Sequence, residues 1–194
     1  MIASAIRSTV RAAVCCALAT LLLSGVVARA ADWPWWRGPQ RDGHADAAQS
    51  PPTAWSETEN VVWKTPLAGR GHGSPIVVGD QIVLATADEE HGSQWLLCFD
   101  RASGKPVWKA AVHESGAKVE GNKKASLASS TPACDGERLF INFLNDGAMY
   151  TSAVSRDGKL LWQTKIVDYT VHQGYGSSPA VFENLVLVSA DNKG

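Results

Sequence analysis

Residues 98–108 read Cys98-Phe99-Asp100-Arg101-Ala102-Ser103-Gly104-Lys105-Pro106-Val107-Trp108. An apolar strand end runs into a polar turn built on Ser103-Gly104-Lys105, and the chain leaves that turn on a second apolar phrase tipped by tryptophan. The same ending occurs 45 residues earlier as Val61-Val62-Trp63-Lys64 and 54 residues later as Leu160-Leu161-Trp162-Gln163. Between these lies another recurring phrase: Ser74-Pro75-Ile76-Val77-Val78-Gly79-Asp80, then Thr131-Pro132-Ala133-Cys134-Asp135-Gly136-Glu137, then Ser178-Pro179-Ala180-Val181-Phe182-Glu183-Asn184, spaced by 57 and 47 residues. Two landmarks that repeat in phase at around fifty residues indicate an array of supersecondary units.

Each unit reads as four short strands. In the first, 75–78 and 81–87 flank Gly79-Asp80, a two-residue hairpin connection, while 95–99 and 106–110 flank the Ser103-Gly104-Lys105 turn. In the second, Asp135-Gly136 precedes a strand over 138–143 and Asp157-Gly158 precedes the strand carrying Trp162. Helical apolar periodicity is absent after residue 30. Four antiparallel strands form a sheet with two apolar faces that cannot bury itself alone, and radial packing of such sheets as propeller blades covers both. The predicted fold class is all-β: an incomplete β-propeller of about two and a half four-stranded antiparallel blades, at about 74–110, 130–167 and 178–194.

The stretch Cys98 to Trp108 resembles the tryptophan-docking motif of pyrroloquinoline-quinone-type (PQQ-like) β-propeller repeats, Ala-x-Asp-x-x-Thr-Gly-Lys-x-x-Trp, matching at Asp100, Gly104, Lys105 and Trp108. Cys98 and Ser103 stand in for the motif's Ala and Thr. A second copy, Ser152 to Trp162, keeps Gly158, Lys159 and Trp162 but carries Val154 at the Asp position, and the phrase ending at Trp63 keeps little beyond its indole. The resemblance covers residues 32–194 and implies an eight-bladed ring in which Trp63, Trp108 and Trp162 are glue between blades. A docked indole removes about 150 to 250 Å² from water. The opening Asp32-Trp33-Pro34-Trp35-Trp36-Arg37-Gly38-Pro39-Gln40-Arg41-Asp42-Gly43 resembles a Trp-Arg-Gly-Pro phrase of exported bacterial members of this group, and packing against the propeller is its expected role, with a carbohydrate-stacking platform as the alternative. Closed propellers have roughly 4 to 8 blades, so the chain is expected to be the N-terminal portion of a longer reading frame, with a short protein that completes its ring by oligomerising as the alternative.

The 194 residues are 45% apolar and 19% charged, an ordinary globular balance that excludes wholesale disorder. Residues 1–30 form an expected signal peptide: Arg7 and Arg11, an apolar stretch from Ala12 to Val27, then Ala28-Arg29-Ala30 as a cleavage site. Removing three Arg and no acid moves the formal charge from −1 to −4. The expected product is a mildly acidic, soluble, periplasmic or secreted protein with no membrane span after signal removal and no affinity for nucleic acid. Residues 31–66 are a Trp-rich segment and lead-in strand, and 67–194 the repeats. Of the four cysteines only Cys98 and Cys134 follow the signal; export permits a disulfide, and buried small hydrophobes are the favoured reading.

No nucleophile elbow, P-loop, zinc-protease or paired-carboxylate signature is present. The five His, at 44, 72, 91, 113 and 172, lack metal-ligand spacing. Three loops that start the blades are candidate binding elements: Gly69-Arg70-Gly71-His72-Gly73-Ser74, Gly121-Asn122-Lys123-Lys124, and Val171-His172-Gln173-Gly174-Tyr175-Gly176-Ser177. Their glycines allow close backbone approach, and Arg70, His72, Lys123, His172 and Tyr175 are candidate donors to a polar or anionic ligand. The expected function is that of a non-catalytic scaffold or binding module at the cell envelope, for an envelope protein or a small polar ligand, with no cofactor of its own. The alternative is the front part of a quinone-dependent alcohol or sugar dehydrogenase, for which the resemblance implies pyrroloquinoline quinone and Ca²⁺ in the central funnel.

Overall fold

The computed structural model describes residues 31–119, 122 and 124–191, so the expected signal peptide lies outside the described residues. Strands β1 (Ile76–Val78), β2 (Gln81–Asp88), β3 (Ser93–Asp100) and β4 (Pro106–His113) form one antiparallel sheet in chain order. Strands β5 (Ala133–Cys134), β6 (Arg138–Asn145), β7 (Ala148–Ser155) and β8 (Leu160–Asp168) form a second, and β9 (Ala180–Phe182) pairs with β10 (Leu185–Leu187) in a third. No helix occurs among the described residues. The architecture is the expected incomplete propeller.

Turn chemistry sets the sheet registers. Val78 pairs with Gln81 across Gly79-Asp80, whose glycine is left-handed at φ +62°. Asn145 pairs with Ala148 across Asp146-Gly147, both left-handed at φ +44° and +71°, the geometry that matches the twist of two adjoining strands. That second hairpin creates β7, and its Asp-Gly pair is a turn phrase in the sequence that the strand assignment above leaves unused.

Burial follows strand parity. From the first sheet Val83, Ala85, Leu96, Cys98, Ala110 and Val112 face a core completed from the second by Cys134, Leu139, Ile141, Phe143 and Val154. Phe140, on the opposite face of β6, packs instead with Ala133, Ala153 and Val181 toward the third sheet. A strand covered on both faces needs no polar alternation, which is why Leu139 to Leu144 reads as a nearly continuous apolar run. Every residue of β8 is exposed. Cys98 and Cys134 are free and buried in the first core, small hydrophobes as favoured from sequence.

Candidate functional site

The tryptophan docks define how the blades join. The indole of Trp63 lies on the Gly104 turn, where an added Cβ would sit 2.4 Å from the ring, and its Nε1 donates to the Arg101 carbonyl at 3.0 Å. Trp108 repeats this one unit on: it lies on Gly158, where a Cβ would be 2.8 Å from the ring, and donates to the Arg156 carbonyl at 2.9 Å. Both glycines are left-handed, at φ +68° and +87°. Each dock therefore takes its indole from one unit and its turn from the next. Trp162, 39% exposed, packs its ring against Phe140 at 6.0 Å.

The turns are stapled by pairs of an acid and a hydroxyl. In the first, Asp100 Oδ1 accepts from the amide and hydroxyl of Ser103 at 2.8 and 2.5 Å, and these contacts hold the Asp100 carboxyl below its ordinary range. In the second, where Val154 replaces the Asp, Ser155 donates its hydroxyl to Asp157 and accepts the Lys159 amide at 3.0 Å. The acid now stands at the place of Ser103, and the hydroxyl one residue past the lost Asp. Arg156 adds a clamp between sheets, donating to Gln81 Oε1 at 2.6 Å and to the Val78 carbonyl at 3.0 Å.

Hydroxyls that precede the recurring prolines link the units at their inner strands. Thr131 Oγ1 accepts the Ser74 amide at 2.9 Å, and Ser178 Oγ accepts the Thr131 amide at 2.9 Å. The same donor and acceptor positions are used at both seams. These hydroxyl oxygens are thus engaged in joining one unit to the next.

The three candidate loops meet side by side. His72 and Gly73 both donate their amides to the Ala128 carbonyl, at 2.9 and 3.1 Å, and Asn122 Nδ2 donates to Gln173 Oε1 at 3.0 Å. Alternation of glycine in 69–73 has a steric cause: a Cβ on Gly69, Gly71 or Gly73 would fall 2.5, 2.6 or 2.3 Å from the carbonyl oxygens of Ala87, Ala85 and Ser130. Arg70 lies within this junction. It pairs with Glu89 at 2.9 Å, donates to the Ala125 and Lys124 carbonyls at 3.2 and 3.4 Å, and approaches His72 Nε2 at 3.4 Å. Arg70 and His72 are thus neighbours, and the Arg70 donors engage protein groups.

Tyr175 is also engaged. Its hydroxyl donates to the Ser189 carbonyl at 2.8 Å and accepts from Asn142 Nδ2 at 3.2 Å, and burial pushes its pKa up to about 12. Asn142 in turn accepts from Thr151 Oγ1 at 2.9 Å. His172 is exposed, and Lys123 lies outside the described residues. A small cavity of about 20 Å³, about enough for a single water, opens between Lys118, Ser126, Ser129, Asn142 and Tyr175. Lys118 escaped the sequence reading because it stands in an irregular loop with no motif around it.

The quinone and calcium implied under the dehydrogenase alternative can be compared with these groups. Among the described residues no three or more His, Cys, Asp or Glu side chains converge as metal ligands would. Glu89, the carboxylate at the loop junction, is paired with Arg70. Calcium prefers several carboxylate and carbonyl oxygens in one shell, and Glu89, already paired with Arg70, does not by itself make such a shell.

Blades joined by indole docks define the molecule as a β-propeller repeat protein. The family model described as outer membrane protein assembly factor BamB matches residues 52–166 and 92–194. The chain belongs to this family of PQQ-like β-propeller repeat proteins. Among solved structures, BamB from Moraxella catarrhalis is similar at 21% identity and a TM-score of 0.41, over 63% of this chain and 31% of that one. No curated protein matches the chain.

Proposed function

We propose that this chain is an exported, non-catalytic β-propeller scaffold that holds a protein partner at the cell envelope, with the junction of the three loops as its contact face. The observation that supports this reading is the use of its polar side chains. The motif turns, the hydroxyls before the prolines, Arg70 and Tyr175 all engage neighbouring units. Such an arrangement builds a rigid platform, and rigid platforms that position loops are suited to recognition. The matched family carries a description in outer membrane protein assembly, which agrees with an envelope role. Among the described residues no helix is long and apolar enough to cross a membrane.

A photoreactive residue placed at position 118 in the exported chain tests the proposal. The expected result is a discrete cross-link to an envelope protein, absent when the probe is placed at the buried position 141. Recovery of the chain in the cytosol, or equal cross-linking from both positions, would count against a scaffold role.

A further inference from the structure

Residues 32–43 are anchored at one level of three successive inner strands. Trp33 pairs with Val77 of β1 in both directions, its amide donating to the Val77 carbonyl at 2.7 Å and its carbonyl accepting the Val77 amide at 3.0 Å. The next residue, Pro34, accepts the amide of Cys134 in β5 at 2.8 Å. Farther along, the Arg41 guanidinium donates to the carbonyl of Val181 in β9. Val77, Cys134 and Val181 hold the same place in the recurring phrase that begins at Ser74, Thr131 and Ser178.

Consecutive Cα atoms are about 3.8 Å apart. Trp33 and Pro34 can therefore bond two different blades only where the inner strands converge, which is at the axis of a radial array. Strands β1 and β5 are edges of their sheets, and their outward backbone groups need partners or water. The segment supplies those partners.

The segment has its own internal shape. The Trp33 indole lies on Gly38, where an added Cβ would be 2.6 Å from the ring. Arg37 and Arg41 are both left-handed, at φ +65° and +61°, a geometry that side-chain-bearing residues keep only when their surroundings impose it. Asp32 accepts the Gly79 amide at 3.0 Å, and the Arg41 guanidinium lies 4.9 Å from the Trp35 ring centre. Trp35 packs against Ala133, Phe140, Ala153 and Val181 at the second seam.

We propose that residues 32–43 form a built-in axial strap, which bonds equivalent positions of successive inner strands, holds the blades at their spacing, and occupies the part of the axial channel that a diffusible ligand would otherwise enter.

Amide hydrogen exchange on the full exported chain tests it, because the Val77 and Cys134 amides donate to strap carbonyls. In the parent protein the two amides exchange at a common rate. In Gly38→Ala, whose methyl displaces the Trp33 ring, both exchange at least about tenfold faster while the β6–β7 ladder keeps its protection. A chain lacking residues 32–43 provides the second measurement: a peptide of those residues, added in trans, restores protection at both amides, or restores a cooperative melt if that chain does not fold alone. The proposal is overturned if Gly38→Ala leaves both amides as protected as before. Separate responses of the two amides, equal loss across the β6–β7 ladder, or a peptide without effect would overturn it too.

Discussion

The indole N–H of Trp108 donates to the carbonyl of Arg156 across 2.9 Å while Gly158 lies beneath the ring, so one residue of the first sheet is held by the turn of the second. Ring and turn make separable contributions. Trp108→Ala removes the ring and is expected to lower stability by roughly 3 to 5 kcal/mol. Gly158→Ala keeps the ring but sets a methyl 2.8 Å from it at φ +87°, and should lower stability by about 1 to 3 kcal/mol. Urea denaturation measures both, and an unchanged midpoint in either variant contradicts the dock.

Thr131 provides a finer test of the seam. Its hydroxyl oxygen accepts the Ser74 amide, and the residue itself is buried, at 3% exposure. Thr131→Val keeps shape and removes the acceptor, which should cost about 1 to 3 kcal/mol by leaving a part-buried amide without its partner. Thr131→Ser restores the acceptor and should recover most of that loss. Equal destabilisation in both variants would point to packing as the cause.

His113, at the end of β4, is half-buried against Tyr150 and Phe143, with ring centres 5.1 and 6.2 Å away, and burial brings its pKa down to about 4 from 6.5. Gln163 Nε2 lies 3.4 Å from its Nε2. The unfolded chain takes up this proton below about pH 6.5, whereas the folded one resists it until about pH 4. The contribution is therefore complete above pH 6.5, declines as pH falls toward 4, and is flat below. The residual exposure of the ring reduces its size to about 1 to 2 kcal/mol. Urea midpoints between pH 4 and 7 should slope less steeply in His113→Phe, and parallel slopes would remove His113 as the cause.

The two thiols should be inert in the folded protein. Burial pushes the Cys98 pKa up to about 11 and raises that of Cys134, and both side chains are almost fully enclosed. Thiolate is the reactive form, so an alkylating reagent at pH 8 should label neither residue before unfolding and both in urea. Labelling of Cys98 at the rate of a free thiol would show that the first core opens readily.

Much of this fold is legible because a few residues carry geometry that others cannot. Gly104, Gly158 and the Gly79-Asp80 turn fix the conformations where sheets bend back, and the tryptophans mark the seams. The phrase at Trp63 looks degraded when inspected alone, yet it docks fully, because a dock needs the turn of the following unit and not of its own. Likewise Val154 appears as a lost motif position, although a hydroxyl-to-carboxylate bond from Ser155 to Asp157 staples that turn from shifted positions. The loop residues were less readable. Arg70 and Tyr175 have the chemistry of ligand donors, but their engagement by the Ala125 and Ser189 carbonyls depends on contacts 55 and 14 residues away in sequence. Lys118 and the seat of residues 32–43 likewise depend on tertiary placement that no local pattern encodes.

Because each dock joins the indole of one unit to the glycine turn of the next, every joint has the same polarity. A tandem duplication of one unit would insert a new blade with a matching joint on both sides, and a deletion would close the gap in the same way. Lineages built on this seam can change their ring size by whole-unit gene rearrangement, without redesigning any surface that the neighbours must recognise.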